Sequence, residues 1–274
     1  MMRFMKAGLV IGTVGLFSSC MKSSDVQDAP PPETNVPTGA LARLEWDNGL
    51  TGYFDYNTDN SLKTIQYNLG GSTGKTMFEW SGSRMTSISD DRSLYKNVYT
   101  YGPDNKLVKV ENVQKSGGAS VFLLEYTYNA QGLVDSMKYF ATNNGTKVLK
   151  TRSGYTYGAG SRLTEVVTES GNNLVKSVVD TWSPELSFIP QMYVDVTLSE
   201  NYDVYNLPVL EQQDMLPTKI TRMVKTGSGN YTTDKVQEIQ FTLSGTRVTN
   251  TRTTVTFPNV PGSSNVLNAV YIYK

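Results

Sequence analysis

The sequence predicts an all-β chain, an antiparallel meander of repeated hairpins forming a strongly curved sheet or a soluble barrel. Three observations carry that expectation. The composition has 17 Tyr and 23 Gly against only 18% charged residues, the profile of short pleated strands broken by turns. No stretch of a dozen residues carries apolar positions at a 3.6-residue period, as an amphipathic helix requires. Finally, one pattern recurs: aromatic-x-aromatic, a turn, then apolar residues six and nine positions after the second aromatic.

The first element is a leader. Arg3 and Lys6 precede an apolar run from Ala7 to Phe17, followed by Ser18, Ser19 and Cys20. A spanning helix needs about 20 apolar residues, so this shorter run fits the core of a secretory signal instead. Phe17-Ser18-Ser19-Cys20 resembles a bacterial lipobox, with Phe17 where Leu is usual. The resemblance implies cleavage before Cys20, acylation of that residue and attachment to a membrane through the lipid. Cys20 is the only cysteine, so no disulfide competes for it.

A tether follows. Residues 20–39 are polar and contain Pro30, Pro31, Pro32 and Pro37, a composition that cannot bury a core and spaces a domain from its anchor. The chain therefore divides into a signal peptide (1–19), a lipidated tether (20–39) and one β-repeat domain (40–274).

The repeats come next. They read Phe54-Asp55-Tyr56 with Leu62 and Ile65; Tyr99-Thr100-Tyr101 with Leu107 and Val110; Tyr126-Thr127-Tyr128 with Val134 and Met137; and Tyr155-Thr156-Tyr157 with Leu163 and Val166. A form one residue shorter runs Phe78-Glu79-Trp80 with Met85 and Ile88, and Phe241-Thr242-Leu243 follows it with Val248 and Thr251. Repeats spaced in this way predict one hairpin per unit.

The turns have a mechanism. Gly102-Pro103-Asp104-Asn105 sets Pro where φ is fixed and Asn where the chain enters the left-handed region, which suits a type I turn with a G1 bulge. Asn57–Asn60 and Asn129–Gly132 match it, while Gly158–Ser161 departs by placing Ser161 where Asn or Gly belongs. Ser81–Arg84 and Ser244–Arg247 fit tight two-residue hairpins. Further hairpin ends are expected at 116–118, 143–145, 171–173 and 227–230. Within a strand such as Phe122–Tyr128, one face is apolar and aromatic and the other mixed. Positions six and nine differ by an odd number, so they share a face only if a bulge intervenes.

The run Tyr-x-Tyr-(Asn/Gly)-x-x-(Gly/Asn)-x-Leu resembles the Tyr-Asp (YD/RHS-like) hairpin repeat. Together with the lipobox, it is similar to uncharacterised Bacteroidota outer-membrane lipoproteins with a porin-like β-domain. The resemblance covers roughly 53–170, with an echo at 219–257. It implies a cell-envelope location on the outer membrane, facing either the surface or the periplasm, and no particular activity.

Residues 184–217 break the repeat. Pro184, Pro190, Pro208 and Pro217 punctuate an apolar run too hydrophobic for a solvated linker. The segment is expected to pack against the sheet or plug its mouth, with a short helix within Leu207–Asp214.

Composition also bounds the chemistry. There is no histidine, which excludes Ser-His-Asp and Cys-His catalysis within the chain and zinc sites built from His and Cys. Basic and acidic residues balance at 25 each without a basic run, so nucleic acid is not an expected partner. Asp55–Asn60 opens like a calcium loop, but Asn60 stands where Gly is needed and Gln66 where the bidentate Glu is needed. No metal or cofactor is expected. Asp90 and Asp91 read as a solvated turn. Trp46 and Trp80 fall at strand positions that read as core, whereas Trp182, bordering the irregular segment, is the candidate ligand contact. Asp135-Ser136-Met137 resembles a three-residue O-glycosylation signal, placing a candidate modification on Ser136.

The expected function is that of a non-enzymatic, membrane-anchored envelope lipoprotein binding a glycan, a peptide or an envelope protein. The alternatives are a carboxylate-dependent glycan hydrolase, which needs two acids about 5–10 Å apart across a cleft, and a structural envelope component. An integral barrel would need a lipid-facing apolar band.

Overall fold

A computed structural model describes residues 34–143, 145–193, 204–260 and 262–274; Cys20 and the signal peptide lie outside them. Sixteen antiparallel strands close into a barrel. The first eight are β1 (Leu41–Trp46), β2 (Thr51–Tyr56), β3 (Leu62–Leu69), β4 (Ser72–Ser81), β5 (Arg84–Asp90), β6 (Tyr95–Tyr101), β7 (Leu107–Gln114) and β8 (Ser120–Tyr128). The others are β9 (Val134–Asn143), β10 (Thr146–Tyr157), β11 (Leu163–Ser170), β12 (Asn173–Trp182), β13 (Pro217–Thr226), β14 (Thr232–Ser244), β15 (Arg247–Thr256) and β16 (Ser264–Tyr273). Each strand pairs with its neighbours in sequence, and β16 returns to β1.

Each repeat is a hairpin: β2–β3, β4–β5, β6–β7, β8–β9, β10–β11 and β14–β15. Every one slips register at the same place. Tyr56 pairs with Leu62 but Asp55 with Thr64, leaving Lys63 over. Thr86, Val108, Asp135, Thr164 and Thr249 are left over in the same way. This bulge turns positions six and nine onto one face, so Leu62 and Ile65 are both buried, as are Leu107 with Val110 and Leu163 with Val166. The turn residues behave accordingly. Asn60 and Asn105 have φ of 67° and 70°, and Ser161 adopts 60° beside Gly160 at 69°, so Ser takes the left-handed position that Asn fills elsewhere. Ser81 pairs with Arg84 and Ser244 with Arg247 across two-residue loops.

An eighth hairpin is split between the two ends of the chain. Tyr271-Ile272-Tyr273 on β16 faces β1 with the same slip, Leu41 opposite Tyr273 and Arg43 opposite Ile272, and Leu41 and Leu44 are buried. The remaining hairpin, β12–β13, carries the irregular segment as an overgrown turn. It therefore opens from the same end of the barrel as all the repeat turns and both ends of the domain.

The outer wall carries charged pairs among scattered exposed apolar residues such as Val148, Val266 and Val270. Outward positions carry the ion pairs Arg43–Glu45, Lys63–Asp55, Lys109–Glu111, Lys147–Glu125, Lys176–Glu165 and Lys219–Glu238, at 2.8–3.5 Å. A lipid-facing barrel would hold an apolar band there. Inside, a single apolar core joins wall residues such as Phe54, Ile65, Leu124 and Met137 to Leu186, Met192, Tyr193, Val204, Leu207, Val209, Leu210 and Leu216 of the insert. Barrels of sixteen strands ordinarily leave a wide lumen; here the insert fills part of it. Closure also removes free sheet edges, so a partner cannot join by adding a strand.

Candidate binding groove at the capped end

The second aromatic of five hairpins has a specific task. The ladders between successive hairpins stop short of the turn end: β3–β4 begins at Thr64 and Met77, β5–β6 at Ser87 and Val98, β7–β8 at Lys109 and Glu125. The carbonyl just beyond each stop would be left without a strand partner, and a buried unpaired acceptor is costly. The aromatic of the next hairpin supplies the donor. The Trp80 indole N–H donates to the Leu62 carbonyl at 2.6 Å, the Tyr101 hydroxyl to Met85 at 3.0 Å and the Tyr128 hydroxyl to Leu107 at 2.6 Å. The split hairpin obeys the same rule on both sides: Tyr273 donates to Val248 at 3.0 Å and Tyr56 to Leu41 at 2.9 Å. These latches seal the seams at the rim and spend the polar atom of each ring.

The insert caps this rim. Ser187 hydrogen-bonds to the β14–β15 turn through the Thr246 carbonyl and hydroxyl. Pro190–Met192 forms a 3-10 turn, and Asn206 precedes α1 (Leu207–Leu210), with Pro208 at its start, where a missing N–H costs nothing. Beyond α1, the Gln212 and Gln213 side chains donate to the Gly132 and Ser161 carbonyls, at 3.1 and 3.3 Å. Glu211 stays exposed at the mouth, yet loss of water around its carboxyl pushes it up to about 7. Its charge, secondary to burial, contributes to raising the Tyr101 hydroxyl to about 12.

On the other side the cap leaves space. One cavity of about 360 Å³ lies among Leu41, Tyr56, Phe188, Met192, Arg247 and Tyr273. A second, of about 550 Å³, lies among Tyr56, Asp59, Trp80, Ser83, Phe188 and Gln191. They share Tyr56, Phe188 and Ile189, so together they line one groove between the cap and the rim, within the usual size range of ligand sites. Among the described residues, Asp59 is the single carboxylate lining it, held below the usual carboxylate range by hydrogen bonds from the Ser61 hydroxyl and amide. At the other end the Arg247 guanidinium lies 5.4 Å from the Tyr273 ring centroid and packs against Gly39, where a Cβ would come within 2.7 Å of it. The domain's N-terminal approach lies beside the groove. Asn35 accepts from the Tyr56 amide and Val36 is buried, so packing begins before residue 40.

The residues singled out in the sequence are scattered. Trp182 is half-buried against the core at the start of the insert and does not line the groove. Trp46 is buried in the core; Trp80 packs on the core and also lines the groove. Ser136 faces outward, 2.7 Å from the Thr127 hydroxyl, beside Gly154, whose outer side is open, while Met137 is buried. Asp90 and Asp91 form the β5–β6 turn with Arg92. No cluster of metal-ligating side chains occurs among the described residues. Phe188 and Gln191 were missed; the only sequence signal was their place beside Pro190 in an insert between repeats.

No family model matches the chain, and no curated protein matches it. Among solved structures, it is similar to a porin-like protein from Bacteroides uniformis, at 12% identity over 88% of this chain and 99% of that one, with a TM-score of 0.53. It is likewise similar to a porin-like protein from Bacteroides vulgatus, at 15% identity over 85% and 98%, with a TM-score of 0.55. At such identities the likeness is one of fold, and it extends over nearly the whole length of both proteins.

Proposed function

We propose that this chain is a membrane-anchored envelope lipoprotein whose barrel is a non-enzymatic binding module, with its ligand seated in the groove between the cap and the rim. The groove carries the reading: its two cavities share lining residues, it is lined by aromatic side chains, and it is framed by latched side chains that need not reorganise on binding. The porin-like description of the two similar folds agrees with an envelope protein, while the charged outer wall favours a barrel held beside the membrane by Cys20 rather than within it. The chain enters the barrel at the capped end, so the anchor and the groove share a side. Fully extended, residues 20–33 reach about 50 Å at most, which keeps the ligand within that range of the membrane. Ser136, outward-facing on the wall, is accessible to a glycosylating enzyme.

The test pairs two measurements on the full-length protein. Cys20→Ser is expected to move it from the membrane fraction to the soluble fraction. A panel of polysaccharides, peptides and envelope proteins is expected to give at least one saturable ligand whose binding Gln191→Ala weakens. Retention of the Cys20 variant in washed membranes would end the lipoprotein reading, and absence of any saturable ligand would end the binding-module reading.

A further inference from the structure

Resting on that groove, we infer that its ligand is a neutral oligosaccharide, laid with its C–H faces on the half-buried rings of Trp80 and Phe188 and with its hydroxyls turned to Asp59 and Gln191. The polar atoms of Tyr56, Trp80 and Tyr273 each donate to a backbone carbonyl of the barrel. Whatever surface these rings show the groove therefore comes without a donor.

That combination separates ligand classes. A proline-rich peptide also stacks on aromatic grooves, but its backbone is rich in carbonyl acceptors and has no N–H at proline, so it brings few donors to meet the Asp59 carboxylate. A sugar carries its own donors. An ionised carboxylate is an acceptor only, and Asp59, held ionised by Ser61, matches a pair of adjacent hydroxyls. The Asn60 and Gln191 amides supply both donor and acceptor at the same end. A polyanionic glycan would need clustered cations. The groove holds Arg247, already stacked on Tyr273 and seated against Gly39, together with the opposing charge of Asp59. The cavities of about 360 and 550 Å³ adjoin through three shared lining residues, room for a short chain of rings rather than a single one.

The experiment is calorimetric titration of the full-length protein in detergent with three probes. These are neutral hexose oligosaccharides of four to six units, an acidic oligosaccharide of the same length and a proline-rich decapeptide. Phe188→Ala and Asp59→Asn are the groove variants, Gln191→Ala is a milder one that keeps the core intact, and Trp182→Ala is the control away from the groove. The expected result is saturable binding of a neutral oligosaccharide, weakened at least tenfold by Phe188→Ala and Asp59→Asn and unchanged by Trp182→Ala, with melting curves preserved. If the peptide or the acidic glycan binds instead with the same variant pattern, the neutral-glycan assignment is overturned and the groove stands. If the neutral glycan binds but only Trp182→Ala weakens it, or if no probe responds to any groove variant, the groove assignment falls with it.

Discussion

Tyr128 illustrates what one atom does in this fold. Its hydroxyl is the hydrogen-bond donor to Leu107 across a seam that the ladder has already left, while its ring lies under Lys106, whose Nζ is 5.1 Å from the centroid. Tyr128→Phe keeps the ring and deletes the donor, stranding a carbonyl at the rim. The expected cost is about 1–2 kcal/mol, read as a lower urea midpoint with an unchanged slope; an unchanged midpoint would mean that water satisfies Leu107 equally well. The aromatic-x-aromatic spacing was plain in the sequence, but the role of its second member was not. The acceptor belongs to the preceding hairpin, about twenty residues back in Trp80–Leu62 and in Tyr128–Leu107, and nothing in the local pattern marks a carbonyl that has lost its strand partner. The bulge was hidden for a related reason. Counting by twos puts positions six and nine on opposite faces, and only their shared apolar character in unit after unit argued for an extra residue between them.

At the scale of the element, the insert was legible as apolar, punctuated by proline and bound to the sheet, and the short helix lies within the expected stretch. Its seat in the mouth was one of two placements the sequence left open, because choosing between them depends on β12–β13 being another repeat hairpin with its turn replaced. The cap carries one titrating group whose consequence can be signed. Glu211 faces Tyr99, Tyr101 and Tyr128, all raised chiefly by burial, with Arg84 and Lys106 over the outer rings and Asp104 contributing to the shift of Tyr128. A free Glu titrates near 4.3 and this one near 7, so between those values the folded state binds more protons than the unfolded state. Stability from this residue is therefore highest below about pH 4 and falls as pH rises to about 7, after which it is level. Glu211→Gln is expected to flatten that decline, leaving the difference between melting temperatures at pH 5 and pH 7.5 smaller than in the parent. An equal or larger difference in the variant would show that the decline has another source.

For the whole molecule, the decisive contact joins the two ends of the domain. The Tyr-x-Tyr of the eighth hairpin stands at 271–273 and its apolar partners at Leu41 and Leu44, so no window along the sequence contains the repeat, and whether the sheet curved or closed could not be read from it. In the fold the ends are stitched directly. The Gly39 amide donates to the Lys274 carbonyl at 2.6 Å and the Lys274 amide to Ala40 at 3.0 Å. Closure of this kind makes the last four residues worth more than their number. Ending the chain at Val270 deletes the Tyr273 latch on Val248, the partners of Leu41, Arg43 and Leu44, and the aromatic that bounds the groove beside Arg247, and it leaves β1 paired to β16 only at Glu45 and Trp46. The truncated protein is expected to lose its cooperative unfolding transition and to bind a hydrophobic dye. A four-residue Gly-Ser insertion between Gly70 and Gly71 changes the chain by the same number of residues at an exposed hairpin tip, where both glycines already have positive φ. Lengthening a short loop costs about 1 kcal/mol or less, so that variant is expected to unfold cooperatively near the parent midpoint. Should the truncated chain melt as sharply as the insertion variant, the barrel would be held by its sequential hairpins alone, and the junction of β16 with β1 would be a contact that the fold makes but does not depend on.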